Sequence, residues 1–173
     1  MAPRLLKAAV TVATAAALSL SVAPARADSD ASVWTDLVAT YAATARYASE
    51  GLAKDGGFLP LGGCYATTAG GVGYHYVNKA NVGSLDPARP AALVYAAGPD
   101  DGLTDTDGLA GRRALVAVEW IVKDKGQAAP TLFGQTFGTN PRSGQFTLRA
   151  WLYRPNGDGL FASYNPDVAC PAH

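Results

Sequence analysis

One carboxylate stands where a carboxylate is costly. Glu119 lies inside Leu115-Val-Ala-Val-Glu-Trp-Ile-Val122, and every neighbour in that run is apolar. Strand alternation would place Leu115, Ala117, Glu119 and Ile121 on one face and Val116, Val118, Trp120 and Val122 on the other. Both faces are apolar, so the strand is expected to be buried on both sides. A carboxylate there costs several kcal/mol unless it is paired or hydrogen-bonded. Two residues could meet it. His75, in Gly73-Tyr-His-Tyr-Val-Asn78, shares a face with Gly73 and Val77. Arg149, in Leu148-Arg-Ala-Trp-Leu-Tyr153, shares a face with Trp151 and Tyr153. An arginine in an aromatic-lined strand can fork onto a carboxylate and stack on a ring. Two chemistries fit these types. Glu119, His75 and Arg149 are candidates for a catalytic group, with Glu119 as general base and His75 as acid or ligand, or for a buried ion-pair clamp.

Other chemistries run short of residues. The only histidines are His75 and His173, and a zinc site takes three or four Cys, His or carboxylate ligands. No metal and no other cofactor is therefore expected. The acidic stretch Asp100-Asp-Gly-Leu-Thr-Asp-Thr-Asp-Gly108 suggests a calcium loop, but aligning Asp105, Asp107 and Gly108 with its third, fifth and sixth positions puts Leu103 and Ala114 where oxygen ligands belong. It reads as a solvated turn. No Gly-x-Ser-x-Gly elbow is present, and Gly70-Gly-Val-Gly73 has no Lys-Ser/Thr after it, so that run reads as a turn.

The chain opens with an export pattern. Arg4 and Lys7 precede an uncharged run from Ala8 to Val22, and Ala25-Arg-Ala27 supplies small residues at a cleavage site between Ala27 and Asp28. Residues 1–27 read as a signal peptide and residues 28–173 as a single globular domain that is secreted or held in the cell envelope. Of the 173 residues, 173 minus 27 leaves 146, a common size for one domain. Arg4, Lys7 and Arg26 leave with the signal and all 14 acids stay, so the net charge becomes 11 minus 14, or −3. With no basic stripe, nucleic acid is not an expected partner, and with no second long apolar run the mature chain has no transmembrane segment. Other partners are not legible. In an oxidising compartment the two cysteines, Cys64 and Cys170, are expected to form a disulfide; neither has the CxxC partner of a redox or metal site.

Positioning these residues falls to one helix and several strands. Trp34, Val38, Tyr41, Ala45, Ala48 and Leu52 recur at helical spacing, predicting a helix over Ser32–Lys54, capped by Ser32 and stopped by Gly56-Gly57. That stripe is expected to face the core, with Arg46, Glu50 and Lys54 paired at i,i+4 elsewhere on the helix. Strands are expected at Gly73–Asn78, Ala91–Ala96, Ala114–Lys123, Thr131–Phe137, Gln145–Tyr153 and Leu160–Tyr164. Turn signals at Asp86-Pro87, Gly98–Gly102, Asn140-Pro141 and Asn156-Gly157 separate them. Short connections favour antiparallel neighbours. The expected fold is α+β, an N-terminal helix packed on a mostly antiparallel, curled or barrel-like β-sheet.

Taken in order, Ala43-Thr-Ala-Arg-Tyr47, Gly73-Tyr-His-Tyr-Val-Asn78, Pro90-Ala-Ala-Leu-Val-Tyr95, Leu115-Val-Ala-Val-Glu-Trp120, Leu132-Phe-Gly-Gln135, Leu148-Arg-Ala-Trp151 and Asn165-Pro-Asp-Val-Ala-Cys170 resemble a family of small secreted bacterial proteins without an established activity. The family pattern has histidine at the position of Arg149 and Asn-Pro where this chain has Arg154-Pro155. The resemblance implies that a histidine–glutamate–histidine set would look like a metal or acid–base site, with an activity altered or lost here, where a cation takes one corner. The expected function is a secreted binding or envelope-associated domain with a buried polar cluster. The alternative is a small metal-assisted or acid–base enzyme acting on an extracellular small molecule. Intact-mass measurement of secreted protein should give a chain starting at Asp28, and a start before residue 20 would end the export reading.

Overall fold

The computed structural model describes residues 27–97, 113–140 and 143–170. The expected signal peptide before Ala27, the expected turns at Gly98–Gly102 and over Asp100–Asp107, Pro141 and His173 lie outside the described residues. Helix α1 runs Ala27–Thr44, a 3-10 turn follows at Ala45–Tyr47, and α2 covers Glu50–Asp55. One continuous helix was the expectation; tertiary bonds break it. The Tyr95 hydroxyl donates to the carbonyls of Tyr47 and Ser49, and the Ser49 hydroxyl accepts from Leu52 N as the cap of α2. These bonds supply what the interrupted helix no longer supplies itself. The Arg46–Glu50–Lys54 ladder is lost with it. Glu50 instead pairs with Arg113 at 3.1 Å, while Gly56 and Gly57 end α2 as expected.

The helix also faces the other way. Leu37, Thr40, Thr44 and Tyr47 form the buried side, whereas Trp34 and Val38 are each 66% exposed, with Tyr41 and Leu52 exposed beside them. Hydrophobicity alone chose the wrong stripe. Two threonines can be buried because their hydroxyls are satisfied. Thr40 Oγ1 lies 2.9 Å from the carbonyls of both Asp36 and Pro87, and Thr44 Oγ1 donates to Thr40 O at 2.7 Å and meets Tyr153 Oη at 2.8 Å. Tyr41 keeps an aromatic partner at the edge of this face, stacked on Tyr153 with ring centroids 5.2 Å apart.

The sheet follows in strands β1 (Leu59–Thr67), β2 (Gly70–Val77), β3 (Ala92–Ala97) and β4 (Arg113–Lys123). A two-residue hairpin, β5 (Thr131–Leu132) with β6 (Gln135–Thr136), stands apart, and β7 (Gly138–Asn140) and β8 (Gln145–Ala150) return to the sheet. The order is β1-β2-β3-β4-β8-β7, antiparallel at every pairing, and the sheet curls strongly into a half-barrel. The fold is α+β, as expected.

Several boundaries differ. Gly70–Gly73 belongs to strand β2 rather than a turn. The Thr131–Phe137 strand splits because Phe133 takes a left-handed φ of 54° and drives its ring into the core against Trp120, with centroids 5.0 Å apart. Leu160–Tyr164 forms no strand, and β8 ends at Ala150. β1 was not foreseen: Pro60 and two glycines interrupt its pattern, which an edge strand tolerates.

Both faces of the sheet are covered. On one, the helices pack Leu37, Tyr47 and Ala53, and the junction after them Phe58, against Tyr76, Leu93, Tyr95, Val118, Trp120 and Leu148. On the other, the chain after β8 returns and buries Trp151 and Val168 against Val94, Ala96 and Ala117. Alternation along β4 holds from Ala117 onward and fails before it. Val94 pairs with Ala117 but Tyr95 pairs with Leu115, so Val116 is an inserted residue. The bulge moves Leu115 to the helix side and Val116 to the other, reversing the expected placement of both. Leu37→Ala should destabilise by about 2–5 kcal/mol in denaturant melts, whereas Trp34→Ala should stay within ~0.5 kcal/mol of wild type. The reverse order would place the apolar stripe in the core.

Candidate functional site

Three strands bring the three candidates together. Glu119 on β4 is the direct cross-strand partner of Arg149 on β8 and of Ala92 on β3. His75 lies two strands away from Glu119, opposite Val94. Two strand spacings amount to ~9.6 Å, and the side chain between them at the level of Glu119 is Ala92. Its single methyl group leaves space for imidazole and carboxylate to reach one another across β3. All three sit on the face away from the helices.

The carboxylate is fully engaged. Arg149 NH2 donates to Glu119 Oε1 at 3.1 Å, and His75 Nε2 lies 3.1 Å from Glu119 Oε2. Arg149 NH2 is also 3.1 Å from His75 Nε2, so one guanidinium nitrogen touches both partners. Arg149 NH1 donates to the carbonyl of Ser163, and its guanidinium lies 5.5 Å from the Trp151 ring. Glu119 is 5% exposed and Arg149 8%, while the His75 side chain keeps 20% of its surface. Burial pushes the Glu119 carboxyl up, but the positive charge of Arg149, then that of His75, and the hydrogen bonds from both outweigh it and lower the pKa to about 2. Glu119 is an ion in the folded protein.

The returning chain closes this face. Asn165 is fully buried and exchanges two backbone hydrogen bonds with Gly71, at 3.0 and 3.1 Å. Its side chain spans Pro155 O and Asp167 N. The approach requires glycine: a Cβ on Gly70 would lie 2.3 Å from Asn165 O, and one on Gly71 2.3 Å from Val168 O. Beyond it, Cys64 and Cys170 are joined, with Cα atoms 5.5 Å apart, as expected. Ser163 escaped the sequence reading because it contributes a backbone carbonyl, and Asn165 entered it solely as part of the Asn165–Cys170 segment, since the backbone groups it binds carry no side-chain signature.

A metal does not suit this donor set. The Arg149 guanidinium already fills the position between imidazole and carboxylate that a metal ion would have to take. Among the described residues no group of three or more His, Cys, Asp or Glu side chains could hold one. The chain matches no known protein-family profile, no curated protein and no solved structure.

Among buried side-chain nitrogens and oxygens of the described residues, only Arg149 Nε has no hydrogen-bond partner. A charge cluster with one donor unmet is held by mutual attraction at the expense of stability. Arg149→Met should therefore destabilise by about 3–5 kcal/mol, and adding Glu119→Gln should recover part of that loss. If His75 were the main partner, His75→Ala would instead be the severe change. The same melts across pH should show the Glu119 contribution intact above its ordinary pKa near 4.5 and lost as pH falls toward 2, because a lowered carboxylate pKa stabilises the ionised fold. A pH profile unchanged by Glu119→Gln would remove the carboxylate from the clamp.

Proposed function

We propose that the protein is an exported binding or envelope-associated domain in which Glu119, His75 and Arg149 act as a structural clamp. The observation that carries this is that each Glu119 oxygen has a nitrogen 3.1 Å away, Arg149 NH2 on Oε1 and His75 Nε2 on Oε2. A general base needs a lone pair free to take a substrate proton, and a pKa near the working pH. Glu119 has neither.

Export is supported by the signal pattern before Asp28 and by the Cys64–Cys170 bridge, a bond that oxidising compartments preserve. No helix among the described residues is long and apolar enough to cross a membrane. The resemblance to small secreted bacterial proteins agrees with the same location. The partly exposed imidazole of His75 favours a second reading, an acid–base enzyme with His75 as the reacting group.

Protein purified from the envelope or medium of its native host separates the two. The clamp reading expects mature chains carrying the bridge and far less than one equivalent of transition metal. It also expects His75→Gln to lower stability without abolishing ligand binding. Stoichiometric metal, lost together with binding in His75→Gln, would establish the enzyme reading instead.

A further inference from the structure

Among the arginines of the described residues, Arg113 and Arg149 are committed to carboxylates. Arg46 and Arg89 have no carboxylate partner among the described residues, yet both line the same cleft. The cleft holds about 450 Å³ between the end of α1, the α2–β1 junction and the segment joining β2 to β3. That falls within the range of small-ligand sites. No acidic residue lines it. In a chain whose mature charge is −3, a recess with two guanidiniums and no acid is a local reversal of sign.

The break in the helix produces the recess. In an unbroken helix Glu50 would lie beside Arg46; the 3-10 turn instead gives Glu50 to Arg113. Arg46 then lies against Tyr47, its guanidinium 4.6 Å from the ring centroid and hydrogen-bonded to the hydroxyl. The opposite wall is held just as firmly. Arg89 NH2 donates to Asn81 Oδ1 at 3.3 Å, and Asn81 Nδ2 is fixed on Pro90 O at 2.9 Å. Asn78 Nδ2 donates to Gly56 O at 3.3 Å and joins the two walls at the floor. A Cβ on Gly56 would lie 2.5 Å from the Tyr47 ring, so glycine is what lets that ring close the base. Each guanidinium uses one nitrogen on a wall, which leaves donors of its planar fork for a ligand.

From this we infer that the cleft between Arg46 and Arg89 binds a small molecule through an oxyanion group, a phosphate monoester or a carboxylate. Guanidinium forks match such oxygens in pairs, and the walls are pinned before any ligand arrives. This gives a ligand class to the binding domain proposed above. The clamp at Glu119 is a separate set of residues on the other face of the sheet, so failure at the cleft leaves the clamp measurements standing.

The test is a titration of the full mature protein with inorganic phosphate, glycerol 3-phosphate and citrate at low ionic strength, followed by amide chemical shifts. Saturable shifts should centre on Tyr47, Gly56, Asn78 and Asn81. Arg46→Gln and Arg89→Gln should each weaken binding by about tenfold or more, the loss of one charge-assisted contact. Both arginines are exposed, and unchanged melting of either variant would confirm that the fold is kept. Raised salt should weaken binding in wild type more than in the variants. Sedimentation with phosphatidic acid vesicles, against phosphatidylcholine vesicles, separates a lipid phosphate monoester from a free anion as the source of the oxyanion. Shifts that fail to saturate, that spread over the surface, or that persist unchanged in both variants would overturn the assignment.

Discussion

A carboxylate at the centre of a two-sided sheet has to find a cation without the help of water, and the architecture around Glu119 follows from that requirement. Arg149 has to come from the adjacent strand, which fixes the register of β8 against β4, since a slip of one residue would turn the guanidinium to the opposite face. His75 has to reach across β3, which restricts the intervening residue to something as small as Ala92. The guanidinium, once buried, needs further acceptors, and the carbonyl of Ser163 brings the returning chain over the cluster. Packing alone would accept many registers of these apolar strands. The ion pair accepts one.

The two faces of the sheet divide the labour. Aromatic and aliphatic bulk collects on the helix side, where Tyr76, Tyr95 and Trp120 fill the space under α1 and α2. The other side carries Ala92, Val94 and Ala117, and the covering chain lies close because these residues and Gly70-Gly71 are small. A close cover excludes water, and that exclusion strengthens the attraction within the ion cluster while raising the penalty for any partner left unmet.

Sequence alone located Glu119, its two partners, four of the six sheet strands in outline and the cysteine pair, because each has a strong local signature. A charge inside an apolar run is visible without coordinates, and so is the pairing of the two cysteines the sequence holds. The failures share a cause of a different kind. The helix was assigned the wrong face because Thr40 and Thr44 count as polar until their hydroxyls are seen bonded to carbonyls and to Tyr153. Leu115 and Val116 were exchanged because a bulge depends on the partner strand, not on the strand that carries it. The helix break at Ala45–Tyr47 is imposed by the Tyr95 hydroxyl, 48 residues away from Tyr47. Each is a tertiary decision that overrides a local preference.

The Cys64–Cys170 bond has a mechanical meaning beyond its part in folding. It short-circuits the chain: a pull applied on either side of the bridge passes from β1 directly across the sulfurs, bypassing a sequence separation of 106. Strands β2, β3, β4, β7 and β8, and the ion cluster they carry, lie inside that closed ring and bear no tension along their length. Among the described helices and strands, α1, α2 and the beginning of β1 lie on the load path. A domain wired this way, if tethered in a cell wall or dragged by flow, would lose its helices from the sheet before any strand of the clamp began to slide.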